Sequence, residues 1–244
     1  MRVLITGAAG FIGQELAKTL LLDGTHEVTL TDIVEPPLPS NTAHGHQARV
    51  ITADLLEASE TLAAEKPDAA LLFHGIMSSG AEADFEGGYR ANVDATRALL
   101  FALAKSNPGL RVIYASSIAV YGEPRPKRGL TEAMPATPES SYGCQKVICE
   151  TYVNDLTRRG MINGISLRIP GITVRAGAPT AAASSFLSGI IREPMNGQVC
   201  KVPLSDRQWR TWVCSPRTLV DNIVIALGLP REALPLHRRT VLVP

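Results

Sequence analysis

Short apolar runs alternate with longer amphipathic segments along the first two thirds of the chain. Most of the runs are continuously apolar, which is typical of parallel strands that are covered on both faces. They predict strands at Arg2–Thr6, Glu27–Thr31, Arg49–Thr52, Ala69–Phe73, Arg111–Ala115 and Ile165–Ile169. The segments between them have helical spacing at residues 11–22, 55–65, 87–105 and 141–159. This alternation predicts the α/β class, with a doubly wound parallel sheet of the Rossmann type.

The regular alternation fades beyond residue 170. A helix is predicted to begin at Ser215-Pro216, because serine is a favoured N-cap and proline is favoured at the first helical position, and Gly228 is its predicted end. We therefore expect two regions: residues 1–170, which contain the sheet, and residues 171–244, a small C-terminal region.

Charge and hydropathy exclude several classes of function. The 244 residues carry 24 Lys and Arg against 23 Asp and Glu, with both signs interspersed, so neither nucleic acid nor an anionic membrane is favoured as a partner. The apolar runs are far shorter than the roughly 20 residues that span a bilayer. The N-terminus leads straight into the first strand and leaves no room for a signal peptide, so we expect a cytoplasmic protein.

The four cysteines are Cys144, Cys149, Cys200 and Cys214. They lack the Cys-x-x-Cys and Cys/His spacings that are typical of metal sites. We expect free thiols in a reducing compartment and no metal site.

A glycine-rich segment, TGAAGFIG, joins the first strand to the first helix. Gly7, Gly10 and Gly13 allow a sharp turn and a close approach of the backbone to a pyrophosphate, with Phe11 and Ile12 between them at the start of the helix. The helix N-terminus presents free N–H groups to those phosphates. A glycine triplet alone is weak evidence, but its position between a strand and a helix strengthens the prediction of a dinucleotide site.

Other polar and small residues follow the ends of neighbouring strands. Asp32 ends the second strand, where an acidic residue accepts hydrogen bonds from the adenosine ribose; it would repel a 2′-phosphate, so NAD is favoured over NADP. Asp54 and Leu55 are candidates for the adenine edge, and Gly75 follows the fourth strand beside the cofactor path. We expect His74 to be a packing or hydrogen-bonding residue.

Tyr142 and Lys146 are four residues apart and therefore share one face of a predicted helix. Alone, this spacing usually marks a surface helix. Here Ser117, at the end of a predicted strand, adds a hydroxyl that can hold a substrate oxygen. A phenol has a pKa near 10, which a nearby ammonium and a positive nicotinamide would lower, so the three residues predict an acid–base centre.

Together these motifs resemble the extended short-chain dehydrogenase/reductases, the NAD-dependent epimerase/dehydratase family that includes nucleotide-sugar epimerases. The resemblance rests on TGAAGFIG, Asp32, SSIAVYG and Tyr142-x-x-x-Lys146, and covers roughly residues 1–175. It implies that Ser117 positions the substrate, that Tyr142 is the general base, and that Lys146 binds the nicotinamide ribose and lowers the tyrosine pKa.

The same resemblance implies a supporting role for Asn92 in the helix predicted at 87–105. It also implies a homodimer formed through the helices at 87–105 and 141–159. The expected ligands are therefore NAD and a small-molecule substrate.

A narrower resemblance is to dehydrogenases that oxidise the C2 hydroxyl of a four-carbon sugar acid to a 2-oxo acid with NAD. It rests on segments 74–100, 115–122, 141–146, 154–160 and 181–194; MSSGAEADF and the last two are not general epimerase features. Relatives continue beyond the position of Pro244, so we expect a C-terminal region that is truncated or that this member lacks.

Donors for the substrate carboxylate are expected in the C-terminal region and after the fourth strand. The candidates, chosen by position and chemistry, are Ser79, Thr173, Ser184 and Arg210. For Arg210, which lies in RQWRTWV, a surface arginine stacked on a tryptophan is the alternative. Two other functions stay open: a nucleotide-sugar epimerase or dehydratase that holds NAD tightly, and a non-catalytic protein that senses NAD.

Overall fold

A parallel sheet forms the centre of the computed structural model, which describes residues 1–22, 24–39, 44–123, 129–177, 183–206 and 208–244. In chain order the strands are β1 (Arg2–Thr6), β2 (Glu27–Asp32), β3 (Ala48–Thr52), β4 (Ala69–Leu72), β5 (Arg111–Ser117), β6 (Asn163–Ile169), β7 (Gly171–Ile172), β8 (Val213–Cys214) and β9 (Thr240–Leu242). The large sheet has the order β3-β2-β1-β4-β5-β6-β9 with parallel neighbours throughout, and β7 pairs separately with β8. The predicted Rossmann-type sheet is confirmed.

Helices cover both faces of this sheet. They are α1 (Phe11–Leu20), α2 (Leu55–Ala64), α3 (Ser78–Ala83), α4 (Phe85–Tyr89), α5 (Ala95–Ser106), α6 (Ser141–Arg158), α7 (Phe186–Met195) and α8 (Pro216–Gly228). One hydrophobic cluster buries residues of α1 and α8 against the sheet, and a second buries residues of α2, α5 and α6 against the opposite face. None of the helices within the described ranges is long and apolar enough to cross a membrane.

Side-chain caps fix where several of these helices begin. The Asp54 carboxylate accepts from the Leu56 amide at 2.9 Å at the start of α2, and the Ser140 hydroxyl accepts from the Gly143 amide at 3.1 Å at the start of α6. Ser215 caps α8 as predicted, with Pro216 in its first turn.

All six predicted strands are present, and their ends differ from the prediction by at most two residues. The helix predicted at 87–105 is different. The structure has α4 and α5 joined without a break by a π-helical turn at Arg90–Asp94, which contains Asn92. Such turns are rare and are frequent at functional sites.

The sequence pattern missed β7, β8, β9, α3 and α7. The three strands have two or three residues each, too few for a periodic signal. β9 is attached to β6 through Arg239, a fully buried side chain that donates to the carbonyl oxygens of Gly164, Arg231 and Leu234. Part of the region 171–244 therefore completes the sheet and its core. The division of the chain at residue 170 and the homodimer both stay predictions.

Candidate active site

A cavity of about 310 Å³ lies at the carboxyl ends of β1, β4, β5 and β6. The strand order reverses between β1 and β4, and open α/β sheets bind their ligands at such a point. The lining contains nine residues singled out from the sequence: Gly7, Gly10, Phe11, Ile12, Gly13, Gly75, Ser117, Tyr142 and Lys146. Sequence reasoning missed other lining residues, among them Met77, Ile172 and Arg175.

A larger cavity, of about 690 Å³, opens at the opposite edge of the sheet beside Arg2, Glu27 and Arg49. These residues lie at the beginnings of β1, β2 and β3, and none of the predicted site residues lines this cavity. Because ligands of open α/β sheets bind at the carboxyl ends, the smaller cavity is the candidate site.

The turn between β1 and α1 depends on glycine at two positions. Gly7 has φ +68°, and a Cβ there would lie 2.5 Å from the backbone of Phe73 and His74. A Cβ at Gly13 would lie 2.4 Å from the Gly7 carbonyl oxygen. Side chains at either position would push the turn away from β4 or from α1.

The N-terminus of α1 presents donors without an intrahelical acceptor beside this turn. Gly10 is the N-cap and provides no side-chain cap, and the first intrahelical bond runs from the Gln14 amide to the Gly10 carbonyl. The amides of Phe11, Ile12 and Gly13 therefore have no acceptor within the helix, which is the arrangement that binds phosphate groups.

Asp32, at the end of β2, contacts the backbone of the glycine turn. Its two carboxylate oxygens accept from the Ala9 amide at 3.0 Å and from the Ile33 amide at 2.7 Å. Each oxygen keeps a lone pair for another donor, such as a ribose hydroxyl. Asp54 and Leu55 lie outside the cavity lining; the Asp54 carboxylate caps α2 and pairs with Arg90 at 3.0 Å.

Asn92 holds the backbone that follows β4. Its Oδ1 accepts from the Ile76 amide at 2.7 Å, while its Nδ2 donates to the Ile76 carbonyl at 2.9 Å and to Gln145 Oε1 at 2.6 Å. A Cβ at Gly75, whose φ is +137°, would lie 2.4 Å from Asn92 Oδ1. Asn92 thus lies behind the cavity wall and connects the Gly75 turn to α6.

His74 is a structural residue, as predicted. Its two ring nitrogens contact the hydroxyls of Thr6 at 2.7 Å and Thr96 at 2.9 Å. Burial, assisted by the charge of Lys146, lowers the pKa of His74 to about 3. The ring is therefore neutral at physiological pH and ties β1 and α5 to the end of β4.

Ser117, Tyr142 and Lys146 lie together in the cavity. Ser117 is at the end of β5, and the Lys146 ammonium lies 5.3 Å from the centre of the Tyr142 ring and 4.8 Å from that of Tyr114. Burial raises the pKa of Tyr142 to about 12, against a hydrogen bond with Ser117 and the positive charge of Arg175, which lower it. In this protein on its own, burial outweighs the hydrogen bond and the charge of Arg175.

Lys146 is a buried cation, only 4% exposed. Burial lowers the pKa of its ammonium to about 8, while the charges of Cys149 and Glu150 raise it. Among the described residues its Nζ has no hydrogen-bond acceptor, and it lies over the rings of Tyr114 and Tyr142.

A buried ion pair lies beneath this group. Glu150 accepts from Arg168 Nη2 at 2.7 Å and from the Ser116 hydroxyl at 2.6 Å, and Arg168 also donates to the Tyr121 hydroxyl. These contacts tie β5, β6 and α6 together next to Ser117 and are not visible in the sequence pattern.

The four candidates for substrate binding lie outside the cavity lining. The Thr173 hydroxyl donates to the Leu187 carbonyl at 2.9 Å. Ser79 and Arg210 are exposed, and Ser184 lies in a 3₁₀ turn at Ala183–Ser185. Their assignment to the substrate stays a prediction.

Comparison with known proteins adds three findings. The model of the NAD dependent epimerase/dehydratase family matches residues 3–234. D-erythronate dehydrogenases of Haemophilus influenzae and Cupriavidus necator are each 41% identical to this chain, over 97% and 100% of its length and 75% and 77% of their own. A crystal structure described as the nucleoside-diphosphate-sugar epimerase from Agrobacterium tumefaciens superposes with a TM-score of 0.92 at 37% identity, covering 100% of this chain and 73% of that one.

Proposed function

Because the chain belongs to the NAD-dependent epimerase/dehydratase family, we propose that it is an NAD-dependent dehydrogenase that oxidises the C2 hydroxyl of a short sugar acid. The proposed substrate is D-erythronate and the product 2-oxo-D-erythronate. The observation that carries the proposal is the cavity that brings Ser117, Tyr142 and Lys146 together beside the glycine turn. The 41% identity to two D-erythronate dehydrogenases over nearly the whole chain supports the choice of substrate.

The residues around the cavity suit NAD. The turn at Gly7 and Gly13 has no room for side chains, so its backbone can approach a pyrophosphate, and the free amides of Phe11 to Gly13 would bind the phosphate oxygens. The remaining lone pairs of Asp32 would accept from the adenosine ribose. Lys146, a buried ammonium without an acceptor in the described part of the chain, would donate to the nicotinamide ribose.

In the proposed mechanism Tyr142 is the general base. The O–H bond at C2 breaks and its proton moves to the phenolate oxygen of Tyr142, while the Ser117 hydroxyl donates a hydrogen bond to the substrate oxygen. Bound NAD supplies the acceptor for the hydride that leaves C2 with the electron pair of the C–H bond. The oxygen left on C2 becomes the carbonyl oxygen of the 2-oxo acid.

This mechanism requires a lower tyrosine pKa than the value of about 12 that burial imposes on the protein alone. Lys146, whose own pKa is about 8, is mostly protonated at pH 7 and places a positive charge beside the phenol. The positive nicotinamide would add a second charge. Asn92 is the proposed positioning residue, because its hydrogen bonds connect the Gly75 turn to α6, the helix that carries Tyr142 and Lys146.

The experiment is a screen of four-carbon sugar acids for NADH formation, with D-erythronate first. We expect steady turnover by the wild type and a loss of at least about 100-fold in kcat for Tyr142→Phe, because general-base catalysis contributes about 10²–10⁴-fold. Tyr152→Phe is the matched control, since Tyr152 is on the same helix and contacts Phe101 instead of the cavity. A Tyr142→Phe variant that keeps most of its activity would contradict the mechanism.

A second candidate is a nucleotide-sugar epimerase, favoured by the similarity to the Agrobacterium tumefaciens structure. An epimerase returns its hydride to the sugar and forms no net NADH. Epimerisation of a nucleotide sugar without net NADH, and no reaction with sugar acids, would favour this candidate. A non-catalytic NAD sensor would bind NAD and show turnover with neither substrate class.

A further inference from the structure

Arg175 is a cation in the cavity that the motifs of the sequence do not reveal. It follows β7 and lines the cavity together with Ser117, Tyr142 and Lys146. Its positive charge acts directly on Tyr142, because it favours the ionised phenol and lowers the pKa of that hydroxyl. Arg175 therefore lines the same cavity as the hydroxyl at which the proposed proton transfer takes place.

The protein holds Arg175 in a fixed position. Its amide donates to the Ser188 hydroxyl at 3.0 Å, its carbonyl accepts from Arg192 Nη1 at 3.0 Å, and its Nε donates to the Ile172 carbonyl at 3.1 Å. The two Nη groups are the remaining donors of the guanidinium. This leaves the forked end of the side chain, the part that pairs with a carboxylate in two parallel hydrogen bonds, for another partner.

No acidic side chain balances this charge within the described ranges. The cavity lining contains two cations, Arg175 and Lys146, and neither aspartate nor glutamate. Glu193, the nearest acid on α7, pairs with Arg192 at 2.5 Å. A half-buried cation that faces a cavity without a counterion favours an anionic ligand, because the pairing offsets the loss of hydration.

We propose that Arg175 binds the carboxylate of the substrate and thereby selects sugar acids over neutral sugars, an inference that rests on the proposed function. In a 2-hydroxy acid the carboxylate is bonded to the same carbon that carries the reacting hydroxyl. A group that binds the carboxylate must therefore line the same cavity as Tyr142, as Arg175 does. Lys146 already has its proposed partner in the cofactor ribose.

The test measures ligand binding separately from turnover. D-erythronate and the neutral four-carbon polyol erythritol are titrated calorimetrically into the protein saturated with NADH, a complex in which oxidation cannot proceed. We expect the wild type to bind D-erythronate far more tightly than erythritol. Arg175→Met should lose about 100-fold in affinity for the acid, change little for erythritol, and keep its affinity for NADH. Arg175→Lys keeps the charge without the forked guanidinium, so its affinity for D-erythronate should lie between those of the wild type and Arg175→Met.

Arg217→Met is the matched control, because Arg217 is exposed on α8 and pairs with Asp221. Arg210→Met tests the competing candidate from the sequence. The inference is overturned if Arg175→Met binds D-erythronate as tightly as the wild type, if Arg210→Met alone loses that affinity, or if the wild type does not discriminate against erythritol. An effect of Arg175→Met on kcat alone would also overturn it, because a role only through the tyrosine pKa would leave affinity unchanged. Tight binding of D-erythronate without NADH formation in the forward assay would refute the proposed function but not the role of Arg175.

Discussion

Replacing Asn92 by alanine tests how the cavity wall is held. The side chain is 1% exposed and makes three hydrogen bonds, two to the backbone of Ile76 and one to the fully buried Gln145. Removing it leaves Gln145 Oε1 without its donor in a dry site, which costs about 1–3 kcal/mol. Ile76 is only partly buried, so we expect water to replace the lost partner of its N–H and C=O groups, and each loses only the net value of a hydrogen bond, about 0.5–1.5 kcal/mol. The expected loss of unfolding free energy is therefore about 2–6 kcal/mol.

The assay combines urea unfolding of the NAD-free protein with calorimetric titration of NAD. Because the Gly75 turn lines the cavity, its release should also weaken NAD binding by about tenfold, equivalent to one lost hydrogen bond. Asn107→Ala is the matched control, since its Nδ2 donates to the Pro67 carbonyl at 2.7 Å at the opposite edge of the sheet. It should lose about 1 kcal/mol of stability and keep its NAD affinity.

The positioning role of Asn92 would be refuted if Asn92→Ala bound NAD as tightly as the wild type at a temperature where both are folded. It would also be refuted if the Asn107 variant lost the same NAD affinity, because the effect would then reflect general destabilisation. A loss confined to Asn92→Ala supports the assignment of this residue as a positioning residue.

Three further predictions concern the glycine turn and the titrating groups. Gly13→Ala should lower stability by about 1–3 kcal/mol and weaken NAD binding, because its methyl group would lie 2.4 Å from the Gly7 carbonyl oxygen. Thermal melting and calorimetric titration of NAD measure the two effects. Gly228→Ala is the control and should show neither effect, because a methyl group there would meet open space. His74 binds a proton in the unfolded chain below pH 6.5 but in the folded protein only near pH 3, so stability should fall on acidification, by about 2 kcal/mol between pH 6.5 and pH 5. When the free energy of unfolding in urea is plotted against pH, His74→Gln should lack this part of the decrease. An equal pH dependence in His74→Gln and the wild type would contradict the conclusion that His74 is buried in its neutral form. Binding of NAD at pH 8 should release a fraction of a proton from Tyr142, which an indicator dye can detect. Tyr142→Phe should release less. Equal proton release by the variant and the wild type would show that the pKa of the phenol does not fall when NAD binds.

The sheet and the cofactor side of the site could be predicted from the sequence because their signals are local. A buried parallel strand is a continuous apolar run, and the glycine turn lies within eight residues in TGAAGFIG. Tyr142 and Lys146 are one helical turn apart, so their spacing predicts a shared face even before the fold is known.

The substrate side could not be predicted in this way. Arg175 reaches the cavity through contacts with Ser188 and Arg192, which are 13 and 17 residues away and belong to a helix the pattern missed. The candidate Thr173 is only two residues from Arg175, yet its hydroxyl donates to the Leu187 carbonyl. Position after a strand predicts which loop lines a cavity, but tertiary contacts decide which side chain of that loop faces it.

The charges around Tyr142 explain how a buried phenol can serve as a base. Burial outweighs the opposing effects of the Ser117 hydrogen bond and the Arg175 charge and brings its pKa to about 12, so the protein without ligands keeps the proton on the tyrosine. The charge of Arg175 opposes this effect, and the Lys146 ammonium lies 5.3 Å from the centre of the Tyr142 ring. Both are cations whose own pKa values burial lowers. An anionic substrate at Arg175 would neutralise the charge that lowers the pKa of the phenol, so we expect Lys146 and the cofactor to provide most of the stabilisation of the phenolate. We therefore expect that replacing Lys146 by methionine raises the pH needed for turnover more than replacing Arg175 does, whereas Arg175→Met mainly raises the KM for the acid.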